Sequence, residues 1–162
     1  MSGAPKLGTP ALLCAAKAGI AFTVHAYEHD PRSESFGKEA AAALGLSAEQ
    51  VFKTLVVEVD GRLVVAVVPV AGSLDLKALA IAAGGRRAAM AKVQDAERAT
   101  GYIVGGISPI GQKRQLPVYV DSSALAFPTV HVSAGKRGLE IELSPTDLLA
   151  LTAGVAAPIA AA

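Results

Sequence analysis

Polar and apolar residues alternate from Phe22 to Glu28, with Phe22, Val24 and Ala26 on one side and Thr23, His25 and Tyr27 on the other. That period of two predicts a half-buried strand, broken by His29-Asp30-Pro31. Upstream, Thr9-Pro10 followed by ALLCAAKAG predicts a helix with Thr9 as N-cap, Pro10 in the first helical position and Gly19 as the stop. An Ala-rich run from Ser35 to Leu44 predicts a second short helix ending at Gly45, and a further turn or helix begins at Ser47. Lys53–Val59 and Leu63–Val70 flank Asp60-Gly61, which predicts a hairpin. The run LVVAVVPV is apolar on both faces, as expected of a strand in the middle of a sheet.

In the second half, Ser73–Ala83 predicts a helix closed by Gly84-Gly85, and a short helix is expected over Gln94–Thr100. YIVGGISPIGQKRQLPVYVD predicts a strand, a loop rich in glycine and proline, and another strand. Thr129–Ser133 and Leu139–Leu143 predict two more strands, joined by the polar turn Ala134–Gly138. Ser144-Pro145-Thr146-Asp147 opens a last helix, and the tail VAAPIAAA is expected to be loosely ordered. Six or seven strands interleaved irregularly with four or five helices predict a single α+β domain: a mixed, curved or barrel-like sheet with helices outside. No internal repeat and no linker interrupts it.

Composition narrows this further. Of 162 residues, 52% are apolar and 18% charged, enough to build one core and too apolar for a disordered chain. Aromatic residues are only 4%, so the core must come from Ala, Val, Leu and Ile. A net charge of +1 gives no bulk attraction to nucleic acid, and basic residues would have to gather on one face to hold a phosphate backbone. The lone cysteine, Cys14, excludes an internal disulfide framework and a Cys-rich zinc site. MSGAPKLGTP lacks the apolar run of a signal peptide, and the longest apolar stretch, Leu63–Ala71, is too short to cross a bilayer. The expectation is a soluble, cytoplasmic protein.

Three features carry candidate chemistry. Lys53 shares a strand face with Leu55, Val57 and Val59, so it either snorkels from the strand end or points its charge into a cleft. In Gly105-Gly106-Ile107-Ser108-Pro109-Ile110-Gly111, glycines allow close backbone approach, and free N–H groups can hold a carbonyl oxygen or a phosphate. The same segment is also compatible with a plain turn, and it matches neither the phosphate loop nor the dinucleotide fingerprint. Lys113-Arg114, Lys136-Arg137 and Arg86-Arg87 are either a phosphate-tracking face or solvated surface charge. His25, His29 and His131 lack the i, i+4 spacing of a helical zinc motif, and His25 and His131 fall on the polar faces of their strands, so no metal site is expected. Ser108 has no strand–elbow–helix context, and Cys14 sits among alanines and leucines as a small hydrophobe. No nucleophile–base pair emerges, and the residues alone support a pocket for a small molecule or a nucleotide end.

Several segments nevertheless occur in the order found in one family: YEHDP at Tyr27–Pro31, VFKTLVV at Val51–Val57 and VAGSLDLKALA at Val70–Ala80. TGYIVGGISPIGQKRQLP at Thr100–Pro117 and VSAGKRGLEIEL at Val132–Leu143 follow. Over roughly residues 9 to 150 the chain resembles the YbaK-type Cys-tRNA(Pro) deacylases, relatives of the editing domain of bacterial prolyl-tRNA synthetase. The resemblance implies one editing domain with a core of about residues 9–152, no cofactor, and a catalytic site of Lys53, Tyr27, Gly105 and Glu140. It further implies substrate contacts from Phe36, Gly106, Ser108, Pro109 and Ser133, with Lys113, Arg114, Lys136 and Arg137 against the tRNA backbone. Glu140 stands where similar members carry aspartate, so its reach differs by one methylene. Alternation turns Glu140 away from Leu139, Ile141 and Leu143, toward solvent unless that face of the sheet lines the cleft. The implied chemistry is attack by the substrate's own thiol, which needs no protein nucleophile. The implied partners are cysteine-charged tRNA(Pro) and prolyl-tRNA synthetase. An Ala-tRNA(Pro) deacylase using activated water, a non-catalytic tRNA-end or nucleotide-binding module, and a metal hydrolase are the alternatives.

Overall fold

Thr9 caps the first helix as its spacing predicts: its Oγ1 accepts the Leu12 amide at 3.2 Å, and Gly19 closes the helix with φ 72°. This computed structural model describes residues 8–30, 32 and 36–161. The expectations for residues 1–7, for Pro31 and for a helix start at Ser35 lie outside those residues. The first elements are α1 (Pro10–Ala18), β1 (Thr23–Ala26) and α2 (Phe36–Leu44), followed by the hairpin of β2 (Phe52–Val59) and β3 (Arg62–Pro69). Asp60 and Gly61 take φ of 49° and 83°, the left-handed pair that a tight two-residue turn requires. After β4 (Ser73–Leu74), Asp75 accepts the Ala78 amide and opens α3 (Leu76–Ala82). Then come β5 (Ala88–Met90), α4 (Val93–Thr100) and β6 (Val118–Asp121). A 3-10 turn at Ser122–Ala126 leads to β7 (Val130–Lys136), β8 (Leu139–Leu143), α5 (Pro145–Thr152), β9 (Val155–Ala157) and β10 (Ala160–Ala161).

The strands form a mixed five-stranded sheet in the order β5-β2-β3-β6-β9, an antiparallel trio β1-β8-β7, and the short pair β10-β4. A parallel bridge between Val51 and His131 joins the start of β2 to β7 and curls the two larger sheets toward each other without closing a barrel. β3 is buried on both faces. Val65 and Val67 enter the main core with Val130, Val132, Ile141 and α1, whereas Val64, Ala66 and Val68 enter a second core with Leu79 of α3. The fold is α+β, as the pattern predicts. Among the described residues no helix is long and apolar enough to cross a membrane.

Two expectations are corrected. Tyr102–Val104 does not form a strand: Tyr102 Oη donates to the Ile110 carbonyl at 2.7 Å, and the Val104 amide donates to Glu97 Oε2 at 2.9 Å. The backbone there serves the following loop rather than a ladder. The tail is ordered, because β9 pairs in parallel with β6 and β10 pairs with β4. Asp121 Oδ1 accepts the amides of Ile159 and Ala160 at 2.9 Å each, and Ile159 is fully buried in the second core. The runs Val155–Ala157 and Ala160–Ala161 are too short and too alanine-rich to announce strands, and their order comes from partners distant in sequence: β6, β4 and the Asp121 carboxylate. β5 escapes the pattern for the same reason.

Candidate active site

β5 pairs with β2 only over Val57–Val59, so Phe52–Val56 run along an edge that no strand covers. A cleft of about 350 Å³ opens there, within the range of small-molecule sites. Because the edge is open, successive β2 residues from both faces, Phe52 to Val56, line it. Tyr27, Phe36, Ser133 and Glu140 line it too, as do Met90, Ala96 and Gly105, with Gly105 against the Phe36 ring.

Lys53 lies on the strand face of Leu55, Val57 and Val59, and its Nζ donates to the Gly72 carbonyl at 3.2 Å. Burial, with the charge of Lys38 added, pulls its pKa below the usual lysine range. No carboxylate among the described residues pairs with it. Two neighbouring cations without an acidic partner favour an anion in the cleft. Lys38 was not singled out in the sequence, since nothing local separates it from any exposed helix lysine.

Glu140 is buried, at 6% exposure. The face of β8 that alternation turns away from Leu139, Ile141 and Leu143 is the one that lines the cleft, so Glu140 does not face solvent. Desolvation raises its pKa to about 8, which leaves the carboxyl largely protonated at neutral pH. Its Oε1 and Thr54 Oγ1 are buried without hydrogen-bond partners. Both belong to cleft-lining residues, and such orphaned polar atoms are costly unless a ligand meets them. Thr54 went unremarked in the sequence because it faces away from Lys53; only the open strand edge lets both reach one cavity. The Tyr27 pKa is raised by burial, against a hydrogen bond to the Gly138 backbone, with smaller contributions from Glu140 and Glu39.

The glycine loop is held against the β7–β8 turn. Gly105 has φ 96°, and a Cβ there would stand 2.4 Å from Arg137 Nε and 3.1 Å from the Phe36 ring. Arg137 donates from Nε and an Nη to the Val104 carbonyl at 3.1 and 2.6 Å and lies 4.7 Å above the Phe36 ring. Gly105 reaches the cleft, and among the described residues its amide meets no protein acceptor. Gly106, Ser108 and Pro109 are buried behind the loop and do not line the cleft. Ser108 Oγ accepts the Ile110 amide at 3.2 Å, so that hydroxyl shapes the loop.

The basic pairs separate. Lys113 and Arg114 line a shallow groove with Glu58, Asp95 and Arg98, outside the cleft. The backbone of Lys136 packs on Gly106, while Arg137 clamps the cleft rim. The amides of Arg86 and Arg87 both bind the Asp60 carboxylate. Cys14 is absent from the cleft and packs against the main core. His131 is 2% exposed, correcting its placement on a merely polar face, and His25 lies beside it with ring centroids 5.3 Å apart.

Comparison with known proteins fits this arrangement. Over 124 residues, 75% of each chain, the sequence is 46% identical to a protein of Enterococcus faecalis that carries the provisional name Cys-tRNA(Pro)/Cys-tRNA(Cys) deacylase EbsC. A crystal structure described provisionally as a trans-editing enzyme for prolyl tRNA synthetase superposes with a TM-score of 0.77, 28% identity and 87% coverage of both chains. The hypothetical protein APE2540 superposes with a TM-score of 0.80 and 26% identity, covering 91% of this chain and 96% of that one. The family model of the aminoacyl-tRNA editing domain matches residues 31–151, which takes in the glycine loop and every cleft-lining residue except Tyr27, and the chain therefore belongs to the aminoacyl-tRNA editing domain family.

Proposed function

We propose that this chain is a deacylase that removes cysteine from mischarged tRNA(Pro), with the aminoacyl-adenosine end seated along the open edge of β2. The observation that carries the reading is the pair of orphaned polar atoms, Thr54 Oγ1 and Glu140 Oε1, in one cleft with unpaired Lys53 and a free Gly105 amide. The provisional name of the Enterococcus relative supplies the substrate class. Among the described residues the cleft lining holds no cysteine or histidine, and Ser133, although opposite Glu140, has no hydrogen bond to it and accepts the Gly135 amide at 3.2 Å, which suits a reaction whose nucleophile arrives with the substrate.

In this mechanism the cysteine thiol attacks its own ester carbonyl. A C–S bond forms, the C–O bond to the terminal ribose breaks, and the thiol proton ends on the ribose oxygen. Free tRNA and a cyclic cysteine thiolactone leave. The protein's contribution is orientation and charge stabilisation. Lys53 anchors a terminal phosphate or the ribose region, the Gly105 amide holds the carbonyl oxygen, and Tyr27 lines the amino-acid pocket. Glu140, largely neutral, offers a hydrogen bond to the aminoacyl head. Prolyl-tRNA synthetase is the partner that would contribute tRNA selection.

The test is deacylation of tRNA(Pro) charged with cysteine, alanine or serine. Cysteine is expected to be removed fastest, with no other nucleophile added. Because the Glu140 pKa lies near 8, the carboxylate form is also within reach as a base, and preference for alanine would move the reading to activated water. Binding without turnover would leave a recognition module. Lys113 and Arg114, both exposed, are the tRNA-backbone candidates that no intramolecular clamp engages. Their double replacement by glutamate is expected to weaken tRNA binding and reduce the slope of log K against log salt by about 2. Unchanged binding would remove this pair from the interface.

A further inference from the structure

Besides the two orphaned atoms in the cleft, one other described side chain carries a buried polar atom without a partner: His131 Nδ1. On the trio β1-β8-β7, His131 lies opposite Glu142, while Thr23 lies opposite Glu142 and His25 opposite Glu140. Directly opposed residues leave a sheet on the same face, so His25, His131 and Glu142 converge diagonally across three strands. Glu142 Oε1 is 2.8 Å from His25 Nε2, and Glu142 Oε2 is 4.0 Å from His131 Nε2. One donor atom from each residue lies within 4.8 Å of the other two. Thr129 Oγ1 donates to Glu142 Oε2 at 2.6 Å, and the Thr129 carbonyl is held by Gln50 Nε2 at 2.9 Å.

A simple His25–Glu142 ion pair explains two of these residues and leaves the third without a reason. It does not account for a second imidazole, 2% exposed and packed beside the first at 5.3 Å, whose Nε2 is 4.0 Å from the same carboxylate and whose Nδ1 is unsatisfied. We propose that His25, His131 and Glu142 are the ligands of a divalent cation of the zinc class. Two imidazole nitrogens and a carboxylate oxygen suit zinc, cobalt or nickel rather than calcium or magnesium. Tetrahedral ligands on bonds of about 2.0–2.1 Å stand roughly 3.4 Å apart. The present 2.8 and 4.0 Å straddle that value, and with all three donor atoms within 4.8 Å of one another, shifts on the order of 1 Å complete the site. Three protein ligands leave one position for water, and Thr129 orients the carboxylate from behind. The ion pins β1, β8 and β7 together on the face that also carries Glu140, two residues along β8, and so braces one wall of the cleft.

This inference stands apart from the substrate assignment and is tested without activity. The full chain, free of any affinity tag and stripped with chelator, is titrated with zinc by calorimetry and with cobalt by visible absorption. One equivalent is expected to bind, and zinc at a hundredfold excess over Kd should raise Tm by about 5 °C or more. His25→Ala and Glu142→Gln, both at half-buried positions, should each weaken binding at least tenfold and abolish the cobalt band, while Cys14→Ala leaves both intact. Absence of heat and of a band at 100 µM metal, on the order of a weak site's Kd, would overturn the assignment. So would binding that survives both substitutions, or that disappears with Cys14.

Discussion

Lys53→Ala is expected to lower kcat/KM for Cys-tRNA(Pro) about 100-fold, most of it through KM. A charged hydrogen bond to an anion contributes about 1.5–3 kcal/mol, and contact with a phosphate remote from the reacting carbonyl is made equally before and during the reaction. The same substitution should leave Tm within about 2 °C. The ammonium is partly desolvated, beside Lys38, with one neutral partner in the Gly72 carbonyl, so removing it breaks no ion pair in the described structure. Lys53→Arg should restore only part of the activity, because a planar fork replaces a point donor at the mouth of a narrow cleft. A folded Lys53→Ala protein with activity within twofold of the parent would put the anchoring charge elsewhere.

Glu140→Gln should leave stability little changed in acid and raise it at neutral and alkaline pH. In the unfolded chain Glu140 titrates near 4.5, and in the fold near 8. The folded state therefore holds the proton more tightly, and stability falls as pH rises from about 4.5 to about 8, then levels off. At 1.36 kcal/mol per pH unit, that displacement corresponds to about 5 kcal/mol. Glutamine is neutral throughout and nearly isosteric. At pH 4 the two proteins should melt together; at pH 9 the variant should be more stable by on the order of 10 °C in Tm. Melting curves in chelator-containing buffer test this, and parallel decline of both proteins would show that Glu140 ionises freely in the fold.

The sequence was most legible where local chemistry decides the outcome. Thr9 and Ser144 cap their helices, Asp60-Gly61 turns the hairpin, and the unbroken apolar run after it lies between two cores. Tyr27, Phe36, Lys53, Gly105, Ser133 and Glu140, all implied by resemblance to a family, do meet in one cleft, and what each contributes there is for the kinetics above to decide. What stayed hidden depends on distant partners. Thr54 and Lys53 point to opposite faces of β2 and share a cavity only because β5 stops short of them. His25 and His131 are more than a hundred residues apart, and only the register of the trio sets them beside Glu142. Ser108 looked like a ligand-facing hydroxyl in a glycine loop and instead holds that loop's own backbone.

The placement of β9 sets an order of events for a chain emerging from the ribosome. β6 is made first and pairs with β3 on one side, but its other edge waits for Val155–Ala157. The side chain of Asp121 likewise waits for the amides of Ile159 and Ala160. Throughout that interval a parallel strand edge and the unfilled Oδ1 of Asp121, whose Oδ2 already accepts the Ser123 amide, stand open, the kind of surface on which neighbouring nascent chains adhere. Synthesis of the trio β1-β8-β7 is complete before the five-stranded sheet can be, so the wall that carries Glu140 is able to assemble while the sheet carrying Lys53 still lacks its last strand.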